Sequence, residues 1–382
     1  MATRRQFGLA LTGVATGVAA APSLGMGQEQ SQPRGSAINV RDYGARGDGE
    51  TDDTESIRAA VKAAACKYSN SSIIGAYIQS GPALIFPSGR YLISDEIVVD
   101  VCLEIEGDGR PIIVQKAADK NVFVNHNAWR QSIRNLTFEG GKNQIDFKNP
   151  NIDTGQLIVE HCRFYGASGA AIRNEVISTT IKITDCVFLR CRQIWCNVNS
   201  DQSVMRDCWL WPKEGMDDFA AIEHHSGMMT IENICGVPSA GSRTRRWIDN
   251  HAEWLTLRRF RFGGEEAGMT PVYNYRKYTR TILDGNHLSD LGVNIILDDC
   301  FIVDNGSDEK CAVYCLEVPN LLRVTNSTLC SGIEAIRVDE KIDLSKYFDV
   351  SSPTALSYSV EGSIGFNVRL PSGLAPPIIQ RA

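Results

Sequence analysis

Four short segments of this chain place titratable side chains at matching positions: Ile172-Arg173-Asn174-Glu175, Ile222-Glu223-His224-His225, Ile248-Asp249-Asn250-His251 and Val272-Tyr273-Asn274-Tyr275. If each is a strand, alternation turns Ile172, Ile222, Ile248 and Val272 inward and the residues after them outward. Arg173, Glu223, Asp249 and Tyr273 then share one outward column, and Glu175, His225, His251 and Tyr275 the next. Asn174, His224, Asn250 and Asn274 take inner or turn positions, where stacked side chains hydrogen-bond from rung to rung. Neighbouring rungs of a sheet lie ~4.8 Å apart and same-face residues of a strand ~6.7 Å apart. Glu223 and Asp249 would thus approach the ~5–5.5 Å carboxyl spacing of retaining glycosidases, and a diagonal choice the ~6.5–9.5 Å of inverting ones. Carboxyls that close push one pKa upward, giving a proton donor beside an anion.

A second chemistry is open to the same residues. His225, His251 or Tyr275 can act as base or acid in a β-elimination. Arg173, Arg246, Arg276 and Lys277 fall where they would neutralise a uronate, while Tyr273 and Trp247 (with Trp195) offer rings for a sugar to stack on. A solvated solenoid face would also be polar with no chemistry at all. The concentration of His and Tyr on three consecutive rungs favours a site.

A repeat positions these segments. The pattern apolar-x-polar-(Cys or apolar)-x-apolar recurs around Leu136, Cys162, Cys186, Cys208, Ile234 and Phe260, at steps of 26, 24, 22, 26 and 26 residues. Cys300 lies 40 residues further, which marks a coil with a long loop, and Ser327 another 27. Short strands at that period, with Asn, Asp and Gly between them, predict a parallel β-helix. The leucine-asparagine consensus of leucine-rich repeats is missing. Residues 36–370 read as one solenoid domain and 371–382, with Pro371, Pro376 and Pro377, as an extended tail.

The start of the solenoid is Ile38-Asn39-Val40-Arg41-Asp42-Tyr43-Gly44-Ala45-Arg46-Gly47-Asp48-Gly49, then Asp52-Asp53-Thr54, a helical stretch, and Ala83-Leu84-Ile85-Phe86-Pro87-Ser88-Gly89-Arg90-Tyr91. Asp52 and Glu55 are spaced as a capping box. Ile57, Ala60, Val61, Ala64 and Ala65 form one apolar helical stripe, suited to closing the open end of a β-helix. This stretch resembles the N-terminal coil of the pectate lyase superfamily. The resemblance implies an all-β, right-handed, single-stranded parallel β-helix with an N-terminal capping α-helix, and action on polysaccharides. The Asn-Thr-Asp and Gly-His-Gly motifs of polygalacturonases are absent. The calcium-plus-arginine arrangement of calcium-dependent pectate lyases cannot be matched by residue.

The expected activity is therefore cleavage of an anionic glycan, as a glycoside hydrolase or polysaccharide lyase, with a non-catalytic glycan-binding, adhesive or structural β-helix as the alternative. No metal ligand set is identified. The cofactor is left unassigned, with calcium still open. Residues 1–27, with Arg4-Arg5 ahead of a short apolar run, read as a twin-arginine signal peptide, so a periplasmic or secreted, bacterial location is expected. A formal charge of −6 argues against nucleic acid as a partner. No stretch is apolar enough for stable membrane insertion, leaving a polysaccharide partner and a monomer or homotrimer. The 12 cysteines include no Cys-x-x-Cys. Most are expected as buried thiols on repeat positions, with Cys191–Cys196 and Cys311–Cys315 as the pairs able to bridge.

Overall fold

The computed structural model describes residues 37–65, 82–126, 130–148, 155–176, 179–212, 220–237, 246–262, 270–275, 279–283, 287–291, 293–303, 311–317, 319, 321–330, 334–340, 357–361, 368–369 and 378–380. They form a parallel β-helix. Each coil contributes strands to a 22-stranded sheet and one strand to an 11-stranded sheet, and a separate antiparallel pair joins Thr279–Leu283 to His287–Leu291. In the 11-stranded sheet the order follows the chain, from Ile97–Val98 to Val368–Arg369. Ile378–Gln380, inside the expected tail, pairs parallel with Ser357–Glu361. The leader expected over residues 1–27 lies outside the described residues.

The coil is bent by one left-handed residue per turn. Asn135, His161, Asp185, Asp207, Asn233, Arg259, Asp299 and Asn326 all have φ between 46° and 57°. Each immediately precedes a repeat reference residue, Leu136 through Ser327. Asn, Asp and His tolerate this conformation better than other non-glycine residues, which explains why the repeat carries them there. Arg259 is the exception.

Registered ladders fill the interior. Phe138, Phe164 and Phe188 stack in parallel at centroid distances of 5.2 and 4.8 Å. Cys162, Cys186 and Cys208 are buried at one repeat position, as small apolar groups. Ten cysteines are free thiols among the described residues, as most were expected to be, including both pairs named as able to bridge, Cys191–Cys196 and Cys311–Cys315. Cys191 is buried ahead of the strand Gln193–Asn199, while Cys196 within it faces outward beside Glu223.

The single helix among the described residues, α1 (Thr54–Ala65), buries Ile57, Ala60, Val61 and Ala64 against the first coil. Its start differs from the capping-box expectation. Asp52 accepts from the Thr54 amide and hydroxyl, and Glu55 pairs with Arg58. The Asp53 carboxylate instead accepts the amides of Arg46 and Gly47, tying the preceding loop to the helix.

Candidate functional site

The four segments stand side by side in the 11-stranded sheet. Register aligns Ile172, Trp195, Ile222, Ile248, Val272 and Val313 inward. One residue on, Asp146, Arg173, Cys196, Glu223, Asp249, Tyr273 and Tyr314 form the outward column. The next position is an inner polar ladder. Asn174 donates to Asn197 (2.5 Å), Asn197 to the His224 ring (2.9 Å), and Asn250 to Asn274 (3.0 Å). His224 Nδ1 receives the Asn197 amide, so its Nε2 carries the proton donated to the Gly227 carbonyl at 3.1 Å. Burial pushes His224 down to about 4, so the ring is neutral.

The outward groups converge at the Glu223–Asp249 rungs. Glu223 and Asp249 are direct register partners on neighbouring strands. Glu223 Oε2 lies 3.3 Å from His225 Nε2, and this contact, opposed by burial, holds the Glu223 carboxyl below its ordinary value. Asp249 is 4% exposed. Its Oδ2 pairs with Arg246 Nη1 at 2.9 Å, while Oδ1 has no hydrogen-bond partner among the described residues. Burial raises Asp249 to about 7 against the pull of Arg246, with the Glu223 charge adding to the rise. One carboxyl is thus driven up and its neighbour down.

Aromatic rings and imidazoles continue the surface. His225 stacks on His251 at 4.8 Å and His251 on Tyr275 at 4.8 Å. Tyr273 packs on Tyr275 at 4.6 Å and on Tyr314 at 4.1 Å. Burial, with the neighbouring His225, lowers the pKa of His251. Arg246 lies over both Tyr273 and Tyr275, and its Nη1 donates to the Tyr275 hydroxyl.

Glu223, Asp249, His225, His251, Tyr273, Tyr275 and Arg246 are therefore brought together. Arg173 is on the same column but bound to Asp146 (3.4 Å) and Glu175 (2.6 Å), three rungs from Asp249. Trp247 is not at the surface. Trp247 and Ile248 are both fully buried, with the Trp247 ring 4.9 Å from Phe262. Trp195 is likewise buried and donates to Asn174. Arg276 and Lys277 lie outside the described residues. No group of three or more His, Cys, Asp or Glu side chains able to hold a metal occurs among the described residues.

Sequence reasoning missed Asn197, Cys196, Asp146 and Tyr314. Tyr314 follows Val313 as Tyr273 follows Val272, a signal hidden by the 41-residue step from one to the other.

Residues 37–193 match the family profile described as rhamnogalacturonase A/epimerase, pectate lyase-like. That part of the β-helix is similar to pectate lyase-like proteins. Among curated relatives, a probable glucan endo-1,3-β-glucosidase of Arthroderma benhamiae is 33% identical over 122 residues, 26% of this chain and 13% of that protein. A glucan 1,3-β-glucosidase of Cochliobolus carbonum is 31% identical over 125 residues, 27% of this chain and 15% of that protein. The chain thus matches only a small part of either relative. A solved mannuronan C-5 epimerase A-module of Azotobacter vinelandii is 17% identical, with 85% of this chain and 86% of that chain covered and a TM-score of 0.44.

Proposed function

We propose that this β-helix hydrolyses a glycan at the Glu223–Asp249 rungs, with Asp249 as proton donor and Glu223 as the ionised partner. The observation that carries the reading is the opposed titration of two register-paired carboxyls: Asp249 raised to about 7, Glu223 lowered. A glycosidase needs one acid and one anion across the scissile bond, and their environments must separate the two pKa values. Neighbouring rungs ~4.8 Å apart suit the shorter, retaining spacing of ~5–5.5 Å. In that scheme Glu223 attacks the anomeric carbon while Asp249 protonates the leaving oxygen. Asp249 then deprotonates the water that releases the glycosyl group. Arg246 bridges Asp249 and Tyr275, so substrate reaches the Asp249 carboxyl as that guanidinium moves aside.

An uncharged sugar fits the described face better than the anionic one expected from sequence. Arg173 is paired with Asp146 and Glu175, so it offers no unneutralised charge to a uronate. The relatives' names, both glucan-directed, point the same way. Export to the periplasm or medium, read from Arg4-Arg5, would bring the protein to such a polymer.

Reducing-end release from soluble β-1,3-glucan and a wider polysaccharide panel, with ultraviolet absorbance read alongside, tests the proposal. Glu223→Gln and Asp249→Asn are each expected to lower turnover by at least ~10³-fold with folding intact. Unsaturated, ultraviolet-absorbing products would replace hydrolysis by elimination. Binding without turnover across the panel would leave a non-catalytic binder.

A further inference from the structure

A second surface, on the 22-stranded sheet and away from Glu223, carries exposed aromatic rings. Trp209 and Trp211 occupy alternate, outward positions of one short strand, 47% and 38% exposed, with ring centroids 6.5 Å apart. Large rings are ordinarily withdrawn from water, so Trp209, nearly half exposed beside a hollow, offers a ring face to a ligand. Register continues their column through Val187 on one side and Cys235 and Arg261 on the other. Beside Trp209 a hollow of about 530 Å³ runs over four rungs, from Asp185 past Asp207 and Asn233 to Arg259 and Arg261.

We infer that this hollow binds a segment of an uncharged polysaccharide chain. Its floor supplies what a pyranose requires: a flat ring face for axial C–H groups, and carboxylate, amide and guanidinium groups within one trough for hydroxyls. Four rungs span ~14 Å along the solenoid axis, which suits an extended oligosaccharide. The lining charges are matched within the protein: Arg259 pairs with Glu232, Asp207 with Arg206 while accepting from Asn233, Asp185 faces His161, and Arg261 lies over the Phe301 ring. That balance favours a neutral polyol over a uronate or a phosphate. It also disfavours a protein partner, because charged groups interrupt the apolar area around Trp209. The site shares coils with Glu223 and Asp249 but lies on the other sheet, and it does not depend on catalysis there.

Affinity electrophoresis of the whole protein through gels containing soluble β-1,3-glucan or soluble β-1,4-glucan, with polygalacturonate as the charged control, tests this directly. Retardation by at least one neutral glucan and not by polygalacturonate is expected. Trp209→Ala should weaken it roughly tenfold. Trp209→Phe, which keeps a ring, should retain most of it, and Glu223→Gln should bind as the wild type does. Circular dichroism of each variant establishes that the fold is kept. The inference is overturned by no retardation in either neutral gel, by retardation indifferent to Trp209→Ala, or by retardation lost in Glu223→Gln. Self-association of the free protein abolished by Trp209→Ala, with no glucan retardation, would assign the rings to a second copy of the chain and equally overturn it.

Discussion

Replacing Asp249 by Asn should make the protein more stable and inactive at once. The reasoning starts from burial: Asp249 is 4% exposed, its Oδ1 lacks a partner among the described residues, and its pKa rises from 3.8 to about 7. A carboxyl with a raised folded-state pKa holds its proton in the folded chain after the unfolded chain has released it. Its contribution is neutral below pH 3.8, turns unfavourable as pH climbs to about 7, and stays constant above that. The full difference is roughly 4 kcal/mol at 1.36 kcal/mol per pH unit. Asparagine mimics the protonated form at every pH. The stability gain of Asp249→Asn over wild type should therefore be near zero at pH 4 and grow to at most about 4 kcal/mol by pH 8. His224 slopes the other way. Its pKa falls from 6.5 to about 4, so the stability it provides is complete above pH 6.5 and is lost as pH drops toward 4. The two slopes oppose one another in wild type between pH 4 and 6.5, so the comparison must be made between variant and wild type at each pH. Urea unfolding monitored by circular dichroism at pH 4, 5.5, 7 and 8.5 measures it. Parallel stability curves for the two proteins would refute the reasoning, because an unburdened carboxylate gives no pH-dependent gain.

Three other outcomes follow from the packing. Gly227 has φ +82°, and an added Cβ would lie 1.9 Å from the Ser200 carbonyl, so Gly227→Ala should cost at least about 2 kcal/mol in urea unfolding. Asn197→Ala removes the donor to His224 and the acceptor for Asn174, both buried, and should cost roughly 2–3 kcal/mol by the same assay. Ten cysteines are free thiols among the described residues, so denatured, unreduced protein should titrate at least ten thiols with Ellman's reagent.

The solenoid was legible because its constraints repeat. A left-handed bend recurs once per coil and selects Asn, Asp or His, which marks the repeat in the sequence even where Arg259 breaks the rule. The inner Asn ladder and the outward order of Glu223, Asp249 and Tyr273 follow from strict alternation within registered strands. Readings failed where geometry departs from alternation or where a partner arrives from afar. Trp247 is buried against Phe262 although alternation would turn it outward beside the inward Ile248. Arg246 looks available to substrate until its neighbour three residues on, Asp249, is seen to hold it. Arg173 is claimed by Asp146, 27 residues earlier, which no local pattern announces. The cysteine pairs named as able to bridge stay open because short spacing in sequence is not closeness in space: Cys311 and Cys315 share one face of a strand but lie four residues, ~13 Å, apart along it.

The decisive quantity is the charge on one carboxyl at neutral pH. A carbon-13 titration of the Asp249 carboxyl, assigned with Asp249→Asn and repeated in Glu223→Gln, reads it directly. A midpoint at about 7 that falls when Glu223 is neutralised is the expected result. A midpoint near 3.8 in wild type would mean that Asp249 is ionised like any solvated aspartate, and these rungs would then hold no proton to give.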